Sequence, residues 1–260
     1  MNYWTQSKDN IYVAAHRGFS SDYPENTMLA FKKALECGVD QLETDVRVTK
    51  DGQLVLIHDA TVDRTTNATG NVCDFTLDEI RKLDAGQGEV IPTLIEFMEL
   101  VKDHPTITLD IELKERPEQI GDKAFEITDK ILGVVESYGF TDRVVINTFS
   151  GKLHEYIAEK YGKRYRQHVY FPVSHMGKVT RDPFEYAYCC CMFRSFYSDV
   201  NMASKQEFDY TMSRGVEPWA GACVKDAKTV DMAIERGATL ITCNNPDVVL
   251  ECLRERGKHK

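Results

Sequence analysis

Two periods of apolar and polar positions alternate along this chain. Short apolar runs suit buried strands, and longer stretches with a single apolar face suit helices. The run Ile11-Tyr-Val-Ala-Ala15 ends in His16-Arg-Gly18, a strand opening into a loop. Asn26 then precedes a stretch in which Met28, Phe31, Ala34 and Leu35 share one helical face, closed by Gly38. The same alternation predicts strands over 41–47, 54–58, 106–112, 144–148, 216–219 and 239–243. Helices are predicted over 77–83, 94–102, 120–138, 152–161, 205–214, 226–236 and 246–256. The third quarter is less regular, and there the pattern suggests a strand at 167–171, a helix at 184–193 and a strand at 195–201.

Strands alternating with helices imply a parallel sheet. With 54–57 set aside as an excursion, eight βα units remain, enough to close an α/β (β/α)8 TIM barrel. The competing open doubly wound sheet usually carries a glycine-rich turn after its first strand, and no GxGxxG follows residue 15. No proline-rich, glycine-rich or single-sign charged tract marks a linker, so residues 1–260 are expected to form one domain.

Charge and cysteine usage narrow the function classes. The chain carries 32 basic and 41 acidic residues, a formal balance of -9, which disfavours a nucleic-acid partner. No run of apolar residues has the length of a signal peptide or a membrane span, so a cytoplasmic protein without stable membrane insertion is expected. Eight cysteines are dilute in a chain of this length. Cys189, Cys190 and Cys191 are contiguous, which suits packing in an apolar helix better than metal ligation.

The candidate chemistry lies in polar residues at strand positions. Glu43 and Asp45 alternate within one predicted strand and so point the same way, and Glu112 and Lys114 repeat that spacing at the end of another. His16 and His58 each end an apolar run. Three carboxylates gathered in a core call for positive compensation, and an all-oxygen set suits one divalent cation, Mg2+, Ca2+ or Mn2+. Pairing of Glu43 and Asp45 with Arg17, Arg47 and Lys114 is the alternative. A metal, two histidines able to exchange protons and two fixed cations suit phosphoryl transfer. Neither a GxSxG elbow nor a GxxxxGKS/T loop occurs.

In order along the chain, Ala15-His-Arg-Gly18, Pro24-Glu-Asn-Thr27, Glu43-Thr-Asp-Val46, Lys50-Asp-Gly52, Val55-Leu-Ile-His-Asp59, Asp63-Arg-Thr-Thr66, Ile91-Pro-Thr-Leu94 and Glu112-Leu-Lys114 resemble the glycerophosphodiester phosphodiesterase family. That resemblance implies a barrel hydrolysing small-molecule glycerophosphodiesters to glycerol 3-phosphate and an alcohol. It also implies a metal held by Glu43, Asp45 and Glu112, His16 and His58 as the acid–base pair, Arg17 and Lys114 on the phosphate, and a small insertion over about 59–92 roofing the site. Where family members commonly carry Trp-Thr-Val-Asn and Thr-Asp-Arg-Pro, this chain has Trp219-Ala-Gly-Ala-Cys223 and Thr242-Cys-Asn-Asn-Pro246, which suggests an altered preference for the alcohol group. Trp219 is expected as a wall beside the glycerol or the leaving group, with Tyr170, Phe171, Phe193, Phe196 and Tyr197 near the same strand ends. A lysophospholipid phosphodiesterase and a non-catalytic phosphodiester-binding barrel are the alternatives.

Overall fold

The computed structural model describes residues 3–194 and 201–260. The chain runs β1 (Tyr12–Ala15), α1 (Met28–Cys37), β2 (Gln41–Val48), β3 (Leu54–Leu56), α2 (Leu77–Ile80), α3 (Leu94–Lys102), β4 (Thr108–Leu113), α4 (Pro117–Ile120), α5 (Lys123–Ser137) and β5 (Val144–Asn147). It continues through α6 (Gly151–Tyr161), β6 (Arg166–Phe171), β7 (Cys189–Met192), α7 (Lys205–Ser213), β8 (Glu217–Ala220), α8 (Ala227–Arg236), β9 (Leu240–Cys243) and α9 (Pro246–Glu255). Parallel pairing passes from β1 through β2, β4, β5, β6, β7, β8 and β9, and β9 returns to β1, so the expected (β/α)8 barrel closes. The excursion is β3, which pairs antiparallel to β2 outside the ring.

Helix limits follow local chemistry. The Thr27 side chain caps α1, and Gly38 ends it in the left-handed conformation. Capping boxes at Thr93/Glu96 and Ser204/Glu207 start α3 and α7, each cap being worth about 1 kcal/mol. Most of the core lies between the strands and the helices. A separate cluster of Val55, Ile57, Val62, Val72, Ile80, Ala85 and Ile91 lies under the excursion after β2.

Inside the barrel the layers differ. Ala14, Val145, Cys189, Trp219 and Leu240 form an apolar floor. Above it the inward positions of β2 and β4 are acidic, and β2 is buried along its whole length.

Two third-quarter expectations change. Residues 189–192 form a strand and no helix: β7 is buried on both faces, so its apolar run carries no alternation to separate it from a buried helix. Cys189 therefore packs in the floor while Cys190 joins the outer core. The strand expected at 195–201 falls, except for Asn201, outside the described residues, as do Phe196 and Tyr197.

Candidate active site

The loop after β1 is built around two left-handed residues and a close approach. Arg17 has φ 58°, and its N–H donates to Glu43 Oε2 at 2.8 Å. At Gly18, φ is 80° and a Cβ would stand 2.7 Å from the Ala30 carbonyl carbon, so only glycine fits. The Arg17 guanidinium reaches Glu25 at 2.9 Å and Asp45 at 3.2 Å. Buried Asn26, also left-handed at φ 56°, donates from Nδ2 to Asp45 Oδ2 at 2.8 Å and accepts from Thr44 Oγ1 at 2.8 Å. The Pro24-to-Thr27 motif thus braces Arg17, orients Asp45 and caps α1.

Register between β2 and β4 places Asp45 opposite Glu112 and Glu43 opposite Asp110. One oxygen each from Glu43, Asp45 and Glu112 lies within 4.8 Å of the others. Lys114 Nζ stands 2.7 Å from Glu112 Oε1 and 3.4 Å from Asp45 Oδ1, so the carboxylates both cluster and pair with Arg17 and Lys114. Burial, and then the Asp45 charge, push the Glu43 carboxyl well up. Burial would raise Asp45 too, but Lys114 and Arg17 outweigh it and hold the group at about 2. Asp45 Oδ1 has no hydrogen-bond partner. Converging buried oxygens, one of them unsatisfied and another resisting ionisation, fit a hard divalent cation of the magnesium, calcium or manganese type.

The two histidines are held differently. His16 Nδ1 meets Asn244 Oδ1 at 2.6 Å, which fixes the proton on Nδ1 and leaves Nε2 as the acceptor. Burial, followed by the Arg17 charge, lowers its pKa to about 4, so the ring is neutral near pH 7. His58 Nδ1 meets the Asp59 carboxylate at 2.6 Å. Arg64 grips the other Asp59 oxygen at 2.6 Å and also reaches Glu25. The His58 carbonyl accepts from Arg47 Nε at 2.9 Å.

A cavity of about 470 Å³ opens above these groups, lined by His16, Arg17, Arg47, His58 and Arg116 together with Phe149, Tyr170 and Phe193. Trp219 is not its wall. It is fully buried in the barrel floor, where its ring meets His168 edge-on at 4.9 Å. Two residues farther along, where an inward side chain would approach the mouth, stands Gly221. A Cβ there would be 2.8 Å from the Phe193 ring. The aromatic surface therefore comes from β5, β6 and β7.

Sequence reasoning missed the supporting groups. Asp110, two residues before Glu112, faces inward and binds His168 Nδ1 at 2.7 Å; that spacing was the available signal. His168, which had no evident setting in the sequence, lies with Asp110, Asn147, Glu43 and Glu112 around a small recess below the mouth. Arg64 and Asn244 carry no such signal, because Glu25 and His16, which they meet, come from other loops, and Arg47, considered as a partner of Glu43 and Asp45, pairs with Glu115 at 3.4 Å.

Residues 16–247 match the model of the Glycerophosphoryl diester phosphodiesterase family. A glycerophosphodiester phosphodiesterase of Caldanaerobacter subterraneus is 49% identical over 146 residues, a match spanning 53% of this chain and 58% of that protein. YhdW of Bacillus subtilis, provisionally named for the same activity, is 33% identical over 96% of this chain and 99% of its own length. Among solved structures, a phosphodiesterase of Oleispira antarctica in complex with the product sn-glycerol-3-phosphate superposes with a TM-score of 0.76 at 20% identity, covering 94% of this chain and 96% of that one. At that identity the likeness speaks for the fold.

Proposed function

The chain belongs to the glycerophosphoryl diester phosphodiesterase family, and from that premise we propose that it hydrolyses glycerophosphodiesters to glycerol 3-phosphate and an alcohol. The observation that carries this is the gathering of Glu43, Asp45 and Glu112 at one point beneath a mouth bearing both His16 and His58. Such a site suits the charge that develops on a phosphodiester in its transition state.

Glu43, Asp45 and Glu112 hold one divalent ion. When bound, it supplies Lewis-acid polarisation of the phosphoryl oxygens. Arg17 and Lys114, fixed by ion pairs to those carboxylates, present positive charge to the non-bridging oxygens. His16, neutral and with Nε2 open, takes a proton from the water whose oxygen bonds to phosphorus as the bond to the alcohol oxygen breaks. His58 donates from Nε2 to the departing alcohol oxygen, and the Asp59 carboxylate compensates the charge that the ring carries before transfer. The segment over about 59–92 roofs this arrangement, with Arg64 linking Asp59 to Glu25.

A lipid-like leaving group has less support. Among the described residues the exposed large apolar side chains are Ile95, Ile120, Tyr210 and Met212. Only Ile120 lies in the segment after β4 that also carries the mouth residue Arg116, and a single exposed side chain is no lipid-binding patch. No described helix is long and apolar enough to cross a membrane.

The test is release of glycerol 3-phosphate from a panel of glycerophosphodiesters with and without chelator. Metal-dependent release is expected. Silence across the panel from folded, metal-supplemented protein would favour a barrel that binds phosphodiesters without cutting them.

A further inference from the structure

Basic side chains dominate the mouth although the whole chain is acidic. His16, Arg17, Arg47, His58, Lys114 and Arg116 line it, and among the described residues Glu112 is the one carboxylate that does. Most of these cations are committed: Arg17 to Glu25 and Asp45, Arg47 to Glu115, and Lys114 to Glu112 and Asp45. Arg116 differs, because among the described residues its side chain has neither an ion pair nor a hydrogen bond. It ends the β4 side of the mouth, next to the aromatic group that follows from β5, β6 and β7.

Those aromatics stack on one another. Phe149 and Tyr170 lie 3.8 Å apart at 17°, and Tyr170 and Phe193 lie 5.7 Å apart at 7°. His168 stacks on Tyr170 as well, at 5.4 Å. A cage for a quaternary ammonium needs ring faces turned toward the ligand. Here the faces of Tyr170 are engaged by its neighbours. Ring edges carry partial positive charge and suit oxygen-rich groups better than cations. Nor, among the described residues, does an uncommitted carboxylate line the cavity to meet an amine.

We propose that the part of the mouth formed by Arg116, Phe149, Tyr170 and Phe193 is the subsite for the departing alcohol, and that it selects a polyhydroxylated alcohol without positive charge over a choline-like or ethanolamine-like one. Arg116 supplies a planar pair of donors to neighbouring hydroxyls, and the aromatic edges pack against the carbon skeleton between them. The assignment rests on the hydrolysis proposed above, and it names which diesters that site prefers.

Its test is steady-state kinetics of the metal-supplemented protein on glycerophosphoinositol and glycerophosphocholine. The expected kcat/KM is higher for the inositol diester by about tenfold, the scale of one charge-assisted hydrogen bond. Arg116→Ala is expected to shrink that ratio by at least about fivefold, mainly through KM for the inositol diester, and Arg116→Lys to restore part of it. The comparison on the unaltered protein needs no variant to fold. Equal or better use of the choline diester overturns the specificity and leaves the hydrolysis standing. A loss of equal size on both substrates in Arg116→Ala overturns the role of Arg116. No release from either diester overturns the specificity together with the hydrolysis.

Discussion

The Asp59 carboxylate lies 2.6 Å from His58 Nδ1, whereas His16 Nδ1 meets the uncharged Asn244 amide oxygen at the same 2.6 Å. One ring is thus suited to carry a proton and the other to accept one. Asp59→Asn keeps the shape and removes the charge. We expect kcat to fall by about tenfold or more. An unchanged kcat would remove Asp59 from the mechanism.

Substituting either proton carrier should cost rate without costing the fold. His16→Ala and His58→Ala are each expected to lower kcat by about 10²-fold or more, with melting temperatures close to that of the parent. Full turnover by either variant would exclude that ring from the chemistry.

The convergence of the three carboxylates predicts an activity that depends on a metal. Chelation should abolish turnover, and Mg2+, Ca2+ or Mn2+ should restore it. In Asp45→Asn the added ion should raise the melting temperature less than it does in the parent, since stabilisation follows affinity. Undiminished activity in a sample shown to be metal-free would refute the assignment.

Gly18→Ala tests the packing behind the loop. The added methyl meets the Ala30 backbone at 2.7 Å in a left-handed conformation, so about 2 kcal/mol or more of stability should be lost. Chemical denaturation measures this directly. A loss of only a few tenths would mean that α1 yields freely there.

Stability should also record a histidine far from the chemistry. His154 is fully buried, its Nδ1 facing the Gln167 side-chain amide at 2.7 Å and its Nε2 the Thr148 carbonyl at 3.0 Å. Burial lowers its pKa from 6.5 to about 4. The unfolded chain therefore takes up a proton that the folded one refuses. Stability is whole above pH 6.5 and declines as pH falls toward 4, by about 3 kcal/mol in all. Denaturation across that range should show a steeper decline in the parent than in His154→Asn, and equal slopes would contradict the assignment.

Much of the barrel was legible because strand and helix periods differ, and because inward acids break an otherwise apolar pattern at Glu43, Asp45 and Glu112. What one sequence does not carry is register and depth. Inter-strand pairing decides that Asp45 faces Glu112 and that Asp110 captures His168, and neither pair is near in sequence. Trp219 shows the problem of depth. Its strand and inward direction are as expected, but it lies at the floor, and Gly221 leaves the level of the mouth to Phe193. The sixth barrel strand was hidden for another reason. Cys189–Met192, buried on both faces, shows no alternation, so only the closure of the ring distinguishes it from a helix.

The floor formed by Ala14, Val145, Cys189, Trp219 and Leu240 makes the barrel a blind alley. What enters by the rim leaves by the rim, so departure is ordered by depth. The fragment seated nearer the opening goes first, and the one lodged against the acidic layer waits behind it. In the proposed turnover, the product lodged against the acidic layer would then leave through the opening by which the substrate entered.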